Sequence, residues 1–115
     1  MRRQRYESEL LKGFVRIVLW NGEDIGFYHL SKKDTHVYIH LIQIAADYQN
    51  QGIGSRVMQQ IEADTMGMNI QEIKLSVLKK NPARQLYERL GYQIEEDRGS
   101  KLLMSKQIQV NQRNF

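Results

Sequence analysis

Apolar positions alternate with polar ones through the first part of the chain. Later they recur at three- and four-residue intervals, which predicts strands first and helices after them. Phe14 to Trp20 is rich in strand-forming residues and runs into Asn21-Gly22, a strong two-residue hairpin signal. Ile25 to Leu30 is then the returning strand. After the polar turn Ser31-Lys32-Lys33-Asp34, His36 to Ile44 gives a third strand, so an antiparallel meander is expected. Ile53, Val57, Met58 and Ile61 fall at helical spacing, and Gly67 is placed to end that helix. Ile73, Leu75 and Val77 alternate with Lys74 and Ser76 as a half-buried strand. Strand, helix and strand at this spacing imply a right-handed parallel crossover.

Asn81-Pro82 is a compact helix start, with asparagine as N-cap and proline in the first helical position. Ala83, Leu86, Tyr87 and Leu90 share one face of that helix, and Gly91 is placed as its left-handed cap. Tyr92 to Ile94 and Lys101 to Lys106 read as a closing pair of strands around a turn at Glu95 to Ser100. At the front, residues 4–12 are expected as a short helix with Tyr6, Leu10 and Leu11 on one side. At the back, Val110 to Phe115 is expected to fray. The fold class is α+β, antiparallel at the front with one parallel step in the middle.

Composition narrows the function classes. A chain of 115 residues, 41% hydrophobic and 26% charged, is expected to form a single domain with a real core. No run nears the roughly 18 apolar residues of a membrane span, and no apolar signal core follows Met1-Arg2-Arg3-Gln4-Arg5. A cytoplasmic protein with no membrane partner is expected. Cysteine is absent, which excludes disulfides, thiolate metal sites and a cysteine nucleophile. His29, His36 and His40 show no metal-binding spacing, so no metal is expected. The net charge of +4 suits an anionic ligand. Its concentration at the front, where Arg2, Arg3, Arg5, Lys12 and Arg16 face only Glu7 and Glu9, reads as a solvated helix end more readily than as a nucleic-acid patch, because no aromatic residues interleave it.

Candidate chemistry centres on Gln49-Asn50-Gln51-Gly52-Ile53-Gly54-Ser55, between the third strand and the first long helix. Glycines at 52 and 54 let backbone approach a ligand closely. First-turn N–H groups lack intrahelical partners and sit at the positive end of the helix dipole, so a pyrophosphate is the natural guest. The stretch is neither a Walker loop nor a three-glycine dinucleotide fingerprint. Taken alone, Tyr87 reads as a core residue on the buried helix face.

Two motifs in this order resemble the GNAT superfamily of acyl-CoA-dependent N-acetyltransferases. Gln49, Gly52 and Gly54 match its first signature. Asn81, Ala83, Leu86, Tyr87, Gly91 and Tyr92 approach its later helix, with alanine one position early relative to some members. The resemblance spans residues 14–106. It implies a mixed sheet whose meander and crossover splay apart in the middle. It also implies acetyl-CoA as acyl donor and transfer to a primary amine. The strand residues Ile42 and Ile44 would line the pantetheine arm. Gln49, Asn50, Gln51, Gly52, Ile53, Gly54 and Ser55 would hold the pyrophosphate, Asn81 would contact the donor near the cleft, and Tyr87 would serve as general acid.

Direct attack by an amine needs no enzyme nucleophile, which suits a chain without cysteine. The general base stays open, with His40, Glu23, Asp24 and Asp47 all within the relevant half of the chain. An acyl-CoA-binding module without catalysis is the alternative reading, and a small nucleic-acid binder a more distant one. The chain also looks shortened, lacking the family's usual first strand and first helix, with residues 1–13 as a partial N-terminal helix and 107–115 as a tail. That implies an unpaired sheet edge at Phe14 to Trp20 and a homodimer to cover it.

Overall fold

The computed structural model describes the backbone of residues 2–8 and all atoms of residues 13–108. Seven strands form one sheet: β1 (Arg2–Ser8), β2 (Gly13–Trp20), β3 (Glu23–Lys32), β4 (Val37–Ile44), β5 (Glu72–Leu78), β6 (Gln93–Asp97) and β7 (Lys101–Gln107). Their order across the sheet is β1-β2-β3-β4-β5-β7-β6. All neighbours are antiparallel except β4 and β5, which are joined by helix α1 (Ile53–Gly67). Helix α2 (Ala83–Arg89) links β5 to β6.

The hairpin at Asn21-Gly22 forms because both residues accept left-handed backbone, at φ 52° and 82°. It joins Trp20 to its cross-strand partner Glu23. The core lies between the sheet and the two helices. Val18, Tyr28, Leu30, Val37, Ile39, Ile73, Leu75, Val77, Leu102 and Met104 meet Ile53, Val57, Met58 and Ile61 of α1. A polar tie crosses the same layer. The Tyr28 hydroxyl, on a fully buried residue, donates to Asp64 of α1 at 2.7 Å. Arg16 Nε and Gln60 Nε2 reach that carboxylate at 3.3 and 3.1 Å. Lys106 of β7 pairs with Glu62 of α1 at 3.0 Å.

Three sequence expectations need correction. The front segment is strand β1, not the start of a helix at 4–12; residues 9–12 lie outside the described residues, as does the tail from 109. A two-turn helix is marginal on its own, whereas β1 finds partners along its whole length, from Arg2 opposite Leu19 to Ser8 opposite Gly13. The β2 edge expected to be unpaired is therefore covered within the chain, and a leading strand is present. Finally, Gly67 stays helical; the left-handed residue after α1 is Asn69, at φ 63°.

Sheet geometry then makes an opening. β4 and β5 pair only at Val37–Ile73, Tyr38–Lys74 and Ile39–Leu75. Past Ile39 the β5-facing side of β4 has no strand partner among the described residues. On its other side β4 carries a bulge. Ile39 pairs with Leu30 and Leu41 with His29, leaving His40 as the extra residue. The extra residue shifts the alternation, so that Val37 and Ile39 before it and Ile42 and Ile44 after it all pack against the same core.

Candidate active site

The loop after β4 is built to present the start of α1. A short 3-10 turn at Ala46–Tyr48 leads into Asn50 and Gly52, both left-handed at φ 61° and 78°. The Gln49 side-chain amide donates to the Ile44 carbonyl at 2.9 Å, and that of Gln51 to the Asp47 carbonyl at 2.8 Å. These two bonds fold the loop back on itself and fix how the chain enters the helix. No side chain caps α1, and its first turn holds no acidic residue. Its leading N–H groups therefore remain available, at the positive end of a 15-residue helix.

The two glycines do different work. A Cβ on Gly52 would meet nothing within 4 Å, so that side of the loop is open space. A Cβ on Gly54 would meet Leu86 Cδ2 of α2 at 3.1 Å. Gly54 is thus the point where α1 and α2 approach, and it brings the glycine loop next to the helix that carries Tyr87. A side chain at 54 would press on α2. Arg56 does not extend toward the loop opening but lies over the Trp20 ring, 5.2 Å from its centroid.

Helix α2 starts as its sequence predicts. The Asn81 Oδ1 accepts from the Ala83 N–H at 2.9 Å, Pro82 sits in helical backbone, and Gly91 closes the helix at φ 98°. The carbonyl half of the Asn81 side chain is thereby used as a cap. Tyr87 is half-buried and packs against the core, its ring meeting Tyr92 edge-on at 6.0 Å. Burial pushes its phenol above the usual value, so it stays protonated throughout the neutral range. The Tyr92 hydroxyl is buried without a hydrogen-bond partner, and burial raises that phenol further, with the Glu62 charge second.

The structure thus places Gln49 to Ser55 at one end of α1, the open side of β4 with Ile42 and Ile44 beside it, and α2 with Asn81 and Tyr87 across from them. The bulge at His40 went unread in the sequence, although a histidine inside the strand was its one visible sign. The sequence profile of the acetyltransferase (GNAT) domain matches residues 12–94. The chain belongs to the GNAT family. No curated protein matches it by sequence.

Solved GNAT structures share its fold at low identity. An N-acetyltransferase, PaiA, from Thermoplasma acidophilum in complex with coenzyme A is 21% identical, with TM-score 0.76, over 81% of this chain and 59% of that protein. A GNAT family acetyltransferase from Elizabethkingia anophelis with acetyl-CoA bound is 20% identical, with TM-score 0.77, over 86% and 78%. An IAA acetyltransferase from Bacillus cereus is 17% identical, with TM-score 0.76, over 86% and 80%. This GNAT chain thus spans about three-fifths of the Thermoplasma protein's length. Among its described residues no helix is long and apolar enough to cross a membrane, and no cluster of three or more histidines and carboxylates could hold a metal.

Proposed function

We propose that this GNAT domain transfers an acetyl group from acetyl-CoA directly to a primary amine. The observation that carries the reading is the half-open β4. Where β5 leaves it at Ile39, an extended chain with amide groups can add alongside Ile42 and Ile44 as a further strand. At the end of that edge stands the uncapped start of α1, with the open space at Gly52 beside it for a pyrophosphate. The complexes of two structural neighbours with coenzyme A and acetyl-CoA support the same donor here.

In this reading the amine nitrogen bonds to the thioester carbonyl carbon and the carbon–sulfur bond breaks. Tyr87 faces the sulfur as it gains charge. Burial raises its phenol, which therefore keeps its proton near neutrality and can donate it toward the sulfur. Its contribution is then a hydrogen bond to the leaving sulfur. A cytoplasmic location belongs to this reading, since a cysteine-free chain folds without an oxidising compartment. The homodimer loses its motive, because β1 already covers the β2 edge. The proposed reaction uses residues of one chain only.

Calorimetric titration with acetyl-CoA, followed by thiol release in the presence of an amine panel, tests the proposal. Binding with amine-dependent thiol release is expected. Binding without release for any amine would leave the acyl-CoA-binding module standing instead, and no binding at millimolar donor would remove both.

A further inference from the structure

The helices α1 and α2 occupy one face of the sheet, and the donor groups just described lie on their side. Cross-strand partners show what occupies the other face. His29 and Ser31 of β3, Tyr38 and His40 of β4, and Lys74 and Ser76 of β5 gather there, with no helix over them among the described residues. His40 is both the bulge residue and the first residue past the last β4–β5 pair, so it stands at the lip of the opening. From this geometry we infer that the acceptor amine enters from the helix-free face and gives its proton to His40 Nδ1. The inference rests on the acetyl-transfer reading.

The imidazole is held on three sides. Its Nε2 is 2.6 Å from Ser31 Oγ, its ring stacks on His29 at 4.4 Å with 19° between planes, and Tyr38 meets it edge-on at 4.9 Å. Tyr38 in turn donates its hydroxyl to Ser76 Oγ at 2.8 Å, bridging the strands just where they part. Gly13 of β2 backs the assembly. A Cβ there would collide with the Leu30 carbonyl oxygen and come within 2.8 Å of both His29 Nε2 and Ser31 Oγ. His29 is buried, while His40 is exposed. An Nε2–H bonded to the serine oxygen leaves the Nδ1 lone pair as the free acceptor. Such a locked ring, in contact with solvent and aimed by a serine, serves as a proton acceptor better than as core filling.

The groups facing His40 keep it neutral. Partial burial, the stacked His29 and the Lys33 ammonium of the β3–β4 turn all lower its pKa below 6.5, while its other neighbours are the Ser31, Tyr38 and Ser76 hydroxyl groups. An α-amino group, which titrates near about 7.7–8.0, gives a proton to an imidazole more readily than a lysine-type amine near about 10.4. The expected acceptor is therefore an amine of modest basicity, such as a peptide amino terminus. In the step, the ammonium passes a proton to Nδ1, the freed nitrogen lone pair forms the new C–N bond, and the thiolate departs. The imidazolium then returns its proton to water.

The experiment compares wild type, His40→Gln and His40→Ala, with a peptide α-amine and an alkylamine as acceptors, across pH 5 to 9. Acetyl-CoA binding by calorimetry is the control for folding and for the donor site. Wild type should show an acid limb in kcat/KM for the α-amine with a midpoint below 6.5. It should also prefer the α-amine to the alkylamine. His40→Gln should lower that kcat/KM by about 10²-fold or more and remove the limb, with donor affinity unchanged. Added imidazole should restore part of the rate to His40→Ala, which a merely structural histidine would not allow. Variants within threefold of wild type, or an acid limb that persists in them, would overturn the role of His40 while leaving acetyl transfer intact. A wild type that transfers to no amine would overturn both.

Discussion

The two glycines of the loop give the sharpest test of where the donor's phosphates sit. Gly52→Ala places a methyl in open space but forces a non-glycine residue into left-handed backbone at φ 78°. That costs about 1–2 kcal/mol. For 115 residues the unfolding entropy is about 0.24 kcal/mol per kelvin, so each kcal/mol moves Tm by about 4 °C. The ligand-free variant should melt about 4–8 °C below wild type. Acetyl-CoA at about 100 times its Kd adds about 2.7 kcal/mol to wild type, a rise of about 11 °C. A methyl in the approach to the α1 start should weaken binding at least tenfold. At the same concentration that removes about 1.4 kcal/mol, so the rise should shrink to about 6 °C.

Gly54→Ala is the contrast. Its methyl meets only the mobile end of Leu86, at 3.1 Å, and alanine is the better helix former by up to about 1 kcal/mol. Its Tm without ligand should stay within a few degrees of wild type, and the acetyl-CoA rise should be unchanged. Melting curves of the three proteins with and without acetyl-CoA settle the matter. A full-sized rise in Gly52→Ala, or an equal loss in Gly54→Ala, would refute the assignment of the open side of the loop to the pyrophosphate.

Tyr87→Phe should lower kcat by about tenfold or more with acetyl-CoA affinity unchanged, and the wild-type rate should show no loss between pH 7 and 9 from this phenol; an unchanged kcat would return Tyr87 to the core. Tyr92→Phe removes a buried hydroxyl that has no partner, so its Tm should rise by a few degrees, and a clear fall would mean that the hydroxyl has a role after all. Asp64→Ala removes the acceptor of the Tyr28 hydroxyl and the ion-pair partner of Arg16, and should cost about 1–3 kcal/mol by urea unfolding, with Asp64→Asn recovering part. His29, His36 and His40 all titrate below 6.5 in the fold, so the unfolded chain takes up protons first as pH falls. Their contribution to stability is complete above 6.5 and is lost as pH drops from there; His29→Gln should flatten that part of a Tm–pH curve, and a curve unchanged by it would refute the assignment.

Most of the sheet was legible because its strands alternate. Ile73, Leu75 and Val77 are buried and Lys74 and Ser76 less so, as the period of two demands. The α2 start was legible because Asn81 and Pro82 act through local bonds that need no tertiary context. Legibility failed where a partner distant in sequence decides the outcome. Arg2–Ser8 has little strand propensity of its own and becomes β1 by pairing with β2. The roles of Gly52 and Gly54 look alike in the sequence and separate only when Leu86 arrives beside one of them. The turn before α1 could be read from its glycines, whereas the opposite lip of the opening depends on a register change that no local pattern announces.

The bulge in β4 also bears on what insertions and deletions would do. A strand one residue shorter, without His40, would keep Ile42 and Ile44 on their present side and carry the β3 pairing through from Leu30–Ile39 to His29–Leu41 without a break. It would be a more regular sheet. It would also lose the local bend that a bulge brings, at the point where β4 parts from β5. The surplus residue sits at the mouth of the opening, so length at this point matters as much as identity, and a change that made the sheet more regular would remove the residue proposed as the base.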